Sequence, residues 1–254
     1  MTLPPLPRLG CPVPRVVGPG VTVYLGGHTA RGPDGELKGS TLVEQFGAAL
    51  TNLLAALQSV SGQPRDLVSM QMLVTDAARY RASAGELAGL LRQHLGAHAP
   101  VVALMEVAAL LDPEALVELV GVAVVPDGPV RTFRDGQGWE EGAGYSRAVR
   151  VGRRILVSGT TAGETAGLLA GDTYGQTREA LRRGITAVQA LGGHPEHVVR
   201  TRLLLAPGAD WPQAAKAHAE LVGGSAPANT TLYVGGLIGE GLLVEVELEA
   251  EIDG

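Results

Sequence analysis

Apolar and polar positions along the chain switch between a period of two and a period near 3.6, and the order of those stretches predicts an α+β protein. Val21 to Ala30 is rich in β-branched and aromatic residues and reads as a strand ending in Gly26 and Gly27, where backbone approaches a neighbour closely. Thr41-x-x-Glu44 is a capping-box pattern, and Phe46, Leu50, Leu53, Leu54, Leu57 and Val60 follow at helical spacing, which predicts a helix over 41–61. Leu67 to Thr75 alternates, with Val68, Met70, Met72 and Val74 on one side. A second helix over 80–96 carries Leu87, Leu90, Leu91 and Leu95, and strands over 101–110 and 116–125 close the first half. The second half replays this order: strands at 148–151 and 155–158, a helix opened by Thr173-x-x-Gln176, a strand at 198–205, a helix at 211–221, and strands at 232–237 and 242–252. In the last of these, Val244, Val246, Leu248 and Ala250 alternate with Glu245, Glu247, Glu249 and Glu251, the pattern of a strand with one buried face.

The replay is a duplication. Pro100 and Pro227 stand 127 residues apart, as do Glu118 and Glu245, while Gly27 and Gly159 are separated by 132. The chain therefore reads as two ββαβαββ units. The first spans 1–127 with a proline-rich leader over 1–19, a polar glycine-rich linker covers 128–142, and the second unit spans 143–254.

Composition narrows the function classes. The net charge of −6 argues against a nucleic-acid surface, since phosphate binding draws on clustered Lys and Arg. The run Arg147, Arg150, Arg153 and Arg154 reads as a solvated strand and turn. Cys11 is the one cysteine, so no internal disulfide can form and a cytoplasmic setting is expected. No apolar run approaches the ~20 residues of a membrane span, and the leader does not read as a signal peptide. His194-x-x-His197 lacks a third ligand nearby, so no metal is expected, and no cofactor motif stands out. Trp139 and Trp211 read as packing residues, Trp211 standing where Tyr80 does in the first copy.

With Gly144-Tyr145-Ser146 before a hairpin, Leu156-Val157-Ser158-Gly159, a helix near Gln176, Pro227 opening a strand and Val244-Glu245-Val246-Glu247, the chain resembles the Rid family, also called YjgF/YER057c/UK114, twice over. The resemblance implies two tandem chorismate-mutase-like units, threefold assembly with ligand pockets between neighbouring units, and chemistry on small reactive enamines or imines without a cofactor. Three two-unit chains then give a homotrimer as the expected assembly. In deaminating members an arginine two residues after the proline grips the substrate carboxylate. Val102 and Asn229 occupy those positions here, with Thr230 beside the latter, which fits a neutral or differently shaped ligand and fits loss of activity equally.

Glu118 and Glu245 match the family's closing-strand glutamate; Glu118 has apolar sequence neighbours and is the first choice of acid or base, whereas Glu245 reads equally well as part of a solvated face. His28, after the glycine pair, is a candidate proton carrier or a hydrogen-bonded structural residue. Tyr145, Ser158 and Gly159 sit at family pocket positions, and Val102, Asn229 and Thr230 would contact the ligand. Two functions remain open: an acid-base enzyme acting on a small carbonyl-containing or reactive metabolite by hydrolysis, tautomerisation or elimination, and a ligand-binding or scaffold protein without turnover.

Overall fold

The computed structural model describes residues 15–17, 22–125, 130–136 and 138–252. Cys11 and most of the leader lie outside them.

In the first unit, β1 (Arg15–Val17), β2 (Thr22–His28), α1 (Leu42–Ser59), β3 (Leu67–Val74), α2 (Ala77–Leu95), β4 (Val101–Glu106) and β5 (Val117–Val124) build a sheet of order β1-β2-β5-β3-β4. Only β3 and β4 run parallel, as the α2 crossover between them requires. Both bonds of the capping box form: Thr41 Oγ1 accepts from the Glu44 N–H, and the Glu44 carboxyl accepts from the Thr41 N–H. The helix behind that cap turns Phe46, Leu50, Leu53 and Leu57 onto Leu25, Met70 and Leu119 of the sheet.

The second unit repeats this plan with β7 (Ala148–Val151), β8 (Arg154–Thr160), α4 (Thr173–Ala190), β9 (Val198–Leu205), α5 (Trp211–Val222), β10 (Ala228–Tyr233) and β11 (Val244–Glu251). Its sheet has order β10-β9-β11-β8-β7-β6, because β6 (Arg131–Phe133) pairs with β7. The segment expected as a linker thus supplies an edge strand and a short helix, α3 (Gly138–Ala143). The tenth strand begins four residues before the stretch 232–237 expected for it, and its side chains are all exposed. With no face to bury, it carries no alternation to read, and backbone pairing with β9 defines it. Among the described residues, no helix is long and apolar enough to cross a membrane.

Equivalent glutamines lock each unit. The N–H of Leu116 donates to Gln45 Oε1 at 2.8 Å, and the N–H of Leu243 donates to Gln176 Oε1 at the same distance. Each glutamine spans from a helix start to the loop before the last strand, holding helix and sheet in register.

The units meet through the sheet faces away from their helices. Val101 packs with Val149, Val151 and Leu156, and Ala103 and Met105 pack with Leu204, Ala206 and Leu237. Val68 joins this contact instead of sharing a side with Met70, because the β3–β5 register shifts between Leu67 and Ser69. The free edge of β4 is covered by the second unit. Ser146 N–H donates to Pro100 O at 3.0 Å, Val102 N–H to Ser158 Oγ at 2.8 Å, and Glu106 N–H to Gly236 O at 3.1 Å. Ser158 Oγ also donates to Ser146 O at 2.6 Å.

Ser158→Ala leaves the Val102 N–H without its acceptor and the Ser146 carbonyl without its donor at a buried seam. Urea denaturation is expected to show a loss of about 1–3 kcal/mol, whereas the exposed Ser59→Ala stays within about 0.5 kcal/mol; equal small effects would remove Ser158 as a tie between the units.

Candidate active site

A cavity of about 430 Å³ lies between the units, a volume suited to a small organic molecule. Its first-unit wall is largely apolar: Met72, Tyr80, Ala84, Val102 and Leu104. Its second-unit wall is polar, with Tyr145, Arg147, Arg183 and Glu245, and the loops around Gly163–Gly167 and Ile238–Leu242 frame it.

Local backbone explains how Glu245 reaches this place. Ser158 and Gly159 together oppose the single residue Glu247, since Thr160 pairs with Val246 and Val157 with Leu248. This bulge lays the Glu245 carboxyl against Gly159, where a methyl group would overlap it. The first unit keeps the same device, with Gly26 and Gly27 in the bulge and Glu118 against Gly27.

Glu245 is 6% exposed, so the reading of its strand face as solvated does not hold at this position. Docking of the first unit buries it, and the Leu104 N–H faces its carboxyl. Burial pushes its pKa up to about 8; Glu247 adds to the rise, while Arg147 and the Leu104 N–H oppose it. The carboxyl is therefore mostly protonated at neutral pH and can donate a proton.

Arg147 is 4% exposed, which corrects its reading as part of a solvated basic run. The short α3 helix ends at Gly144, whose φ of +75° turns the chain, and Tyr145 and Arg147 follow. The Arg147 guanidinium donates to Glu140 Oε1 at 2.9 Å, Gly159 O at 3.0 Å, Thr160 Oγ1 at 3.1 Å and the Tyr145 hydroxyl oxygen at 3.3 Å. Because that oxygen accepts from Arg147, the Tyr145 O–H hydrogen can serve a ligand. Burial raises the Tyr145 pKa, Arg147 opposing and Glu140 and Glu245 adding, so the phenol stays neutral. Arg183 donates to Asp135 Oδ2 at 2.6 Å and Thr161 O at 2.7 Å. Asp135 and Glu140 thus hold the two guanidiniums in fixed positions.

The sequence candidates separate in space. Tyr145, Gly159, Val102 and Glu245 line the cavity, and Ser158 stands behind it, bonded to Val102. Glu118 and His28 are not among its lining residues. His28 lies in register with Leu119, a core residue, and is buried with its Nε2 unpartnered; desolvation lowers its pKa. Glu118 is half-buried in the first unit, with its pKa raised by desolvation. Asn229 donates to Thr201 Oγ1 at 2.9 Å, beside His218, and Thr230 is exposed on β10. Trp211, expected to pack, is 57% exposed. His194 and His197 cap a turn, the His194 N–H donating to His197 Nδ1 at 3.0 Å.

Arg147, Arg183, Asp135, Glu140 and Tyr80 escaped the sequence reading of the site. Two signals were present. Arg147 is in phase with the buried Val149 and Val151, whereas Arg150 is out of phase. Arg183 stands where the first copy has Asn52, which donates to Thr29 O and Arg31 O; the second copy alone places a cation there.

The chain matches the family model described as Endoribonuclease L-PSP over residues 12–125 and again over 139–252. It belongs to that family, the YjgF/YER057c/UK114 group, as a tandem two-unit member. An uncharacterized protein of Streptomyces coelicolor, SCO2049, is 41% identical over 122 residues, covering 48% of this chain and 91% of its own length. Rv2704 of Mycobacterium tuberculosis, a single-unit family member, is 35% identical over 49% of this chain and 100% of that one, with a TM-score of 0.45. A chorismatase structure aligns with 94% of this chain and 77% of its own, with a TM-score of 0.64 at 17% identity, and so shares the two-unit fold.

A carboxyl whose folded pKa is raised binds its proton more tightly in the folded than in the unfolded state. Its contribution to stability is full below about pH 4.5 and is lost as pH rises toward about 8. Glu245→Gln is therefore expected to flatten the stability profile between pH 5 and 8 relative to the native chain, measured by denaturation at several pH values; parallel profiles would contradict the burial of this acid.

Proposed function

We propose that this protein is an enzyme that protonates a small metabolite held between its two units, with Glu245 as general acid. The observation that carries the reading is a buried carboxyl, fixed against Gly159 at one wall of a cavity of about 430 Å³, where loss of water pushes its pKa up to about 8. Such an acid suits imines, enamines and vinyl ethers, which each present an electron-rich nitrogen or carbon. The Glu245 proton goes to that atom, and the adjacent carbon becomes electrophilic. Water adds there, returning a proton to the Glu245 carboxylate, and collapse of the adduct yields a carbonyl compound and expels an amine or alcohol. Tyr145 and the Arg147 guanidinium face the same space and would orient a substrate oxygen, while Met72, Val102 and Leu104 would hold an apolar body.

The absence of an arginine at Val102 fits this division of labour, since polar contact comes from the opposite wall. The chorismatase is by its name an enzyme acting on chorismate, but the likeness carries only the fold. The family model's description names a ribonuclease; the cavity guanidiniums here are paired with Asp135 and Glu140, and the chain's net charge of −6 gives phosphates little attraction.

A panel of imines, enamines and vinyl ethers tests the reading. Turnover of one of them is expected, with kcat falling as pH rises through about 8, the direction for an acid that must be protonated. Glu245→Gln should cut kcat by about 10²–10⁴-fold, and Glu118→Gln should leave it unchanged. Tight binding with no turnover would favour a ligand-holding role instead, and full activity in Glu245→Gln would move the acid elsewhere.

A further inference from the structure

We propose, on the reading of the cavity as a ligand site, that Gly163, Gly239 and Gly241 keep open the way into it and set the size of ligand that passes. The duplication provides the comparison. By the 132-residue spacing of Gly27 with Gly159, Gly163 stands where the first unit has Arg31; by the 127-residue spacing of Glu118 with Glu245, Gly239 and Gly241 stand where it has Asp112 and Glu114. The latter match holds in space as well: the Gln45 amide donates to Glu114 O at 3.2 Å, and the Gln176 amide to Gly241 O at 2.8 Å.

In the first unit the three side chains form a clamp. Arg31 Nε donates to Asp112 Oδ2 at 2.7 Å, and the other two guanidinium nitrogens donate to Gly35 O at 2.6 Å and Glu114 Oε2 at 3.3 Å. The loop after β2 is thereby closed on the loop before β5. The second unit keeps the inner tie between the matching loops, since Gln176 also donates to Leu169 O at 3.2 Å, as Gln45 does to Gly39 O. The outer tie is gone, because three glycines offer no side chain to pair across the gap. Gly163 and Gly239 line the cavity instead, with Ala166, Gly167 and Leu242 beside them. What the first unit shuts with an ion pair is thus, in the second, the rim of the cavity. Gly163 and Gly241 have φ of +60° and +70°, so the backbone there is shaped for residues without a side chain. Leu168, next to Gly167, is 88% exposed, which leaves the rim apolar.

Access is measured without turnover. In the full chain carrying Cys11→Ser, the substitution Val102→Cys puts a thiol on the cavity wall, and its rates of reaction with methyl and benzyl methanethiosulfonate report what passes the rim. Both reagents are expected to react with the folded protein. Gly239→Leu, whose Cβ meets only the side chain of Leu242, narrows the rim, and Gly163→Arg with Gly239→Asp rebuilds the first-unit pair. Each is expected to lower the benzyl-to-methyl rate ratio by at least about tenfold, the scale on which pocket sterics discriminate. Gly239→Leu carries the test alone where Gly163→Arg, strained at its positive φ, fails to fold. Arg31→Ala breaks the first-unit clamp, away from the cavity, and should leave the ratio unchanged. A ratio that the rim variants do not alter, or that Arg31→Ala alters as much, would overturn the proposal, as would a thiol that neither reagent reaches. Labelling needs no proton donor, so size-selective access in a chain without turnover would remove the general acid and keep the rim.

Discussion

The arrangement depends on one requirement: the free edge of β4 is buried between the two units, so every N–H along it needs an acceptor. Ser158 serves Val102, Gly236 serves Glu106, and the Leu104 N–H faces the carboxyl of Glu245. A glutamate recruited to a buried backbone seam loses its water, and that loss is what raises its proton affinity. The packing that joins the units and the chemistry available between them therefore share one side chain. Arg147 keeps the rise in check from the same side, itself held by Glu140 and Asp135.

Duplication supplied two copies of the skeleton, and each has been turned to a different use. The bulge, its glycine and the glutamate against it persist in both, as do the locking glutamines Gln45 and Gln176. Around them the side chains diverge: Asn52 satisfies loop carbonyls where Arg183 reaches Asp135, and buried Thr160, which accepts from Arg147, stands in place of His28. The first copy contributes an apolar wall to the shared cavity, the second its polar groups.

Much of this was legible in the chain itself. The capping box at Thr41, strand alternation and the 127-residue spacing of Pro100 with Pro227 and Glu118 with Glu245 lead directly to two α+β units, although Asp172 and not Thr173 caps the first long helix of the second unit. The site was only partly legible, for physical reasons. Glu118 has apolar neighbours in sequence, but Val117 and Leu119 point into the helix-side core, away from the face that Glu118 occupies. Glu245 sits among acidic residues in alternation, and only docking by another unit removes it from water, which no local pattern records. Arg147 was hidden by the less buried arginines that follow it, and β10 by having no buried face at all.

The central claim is that Glu245 is a proton donor at neutral pH because the seam between the units buries it. Carbon-13 NMR titration of the glutamate side-chain carboxyls, with Glu245 assigned by its disappearance in Glu245→Gln, measures this directly. A midpoint near 8 is the predicted result; a midpoint near the ordinary value of about 4.3 would contradict it.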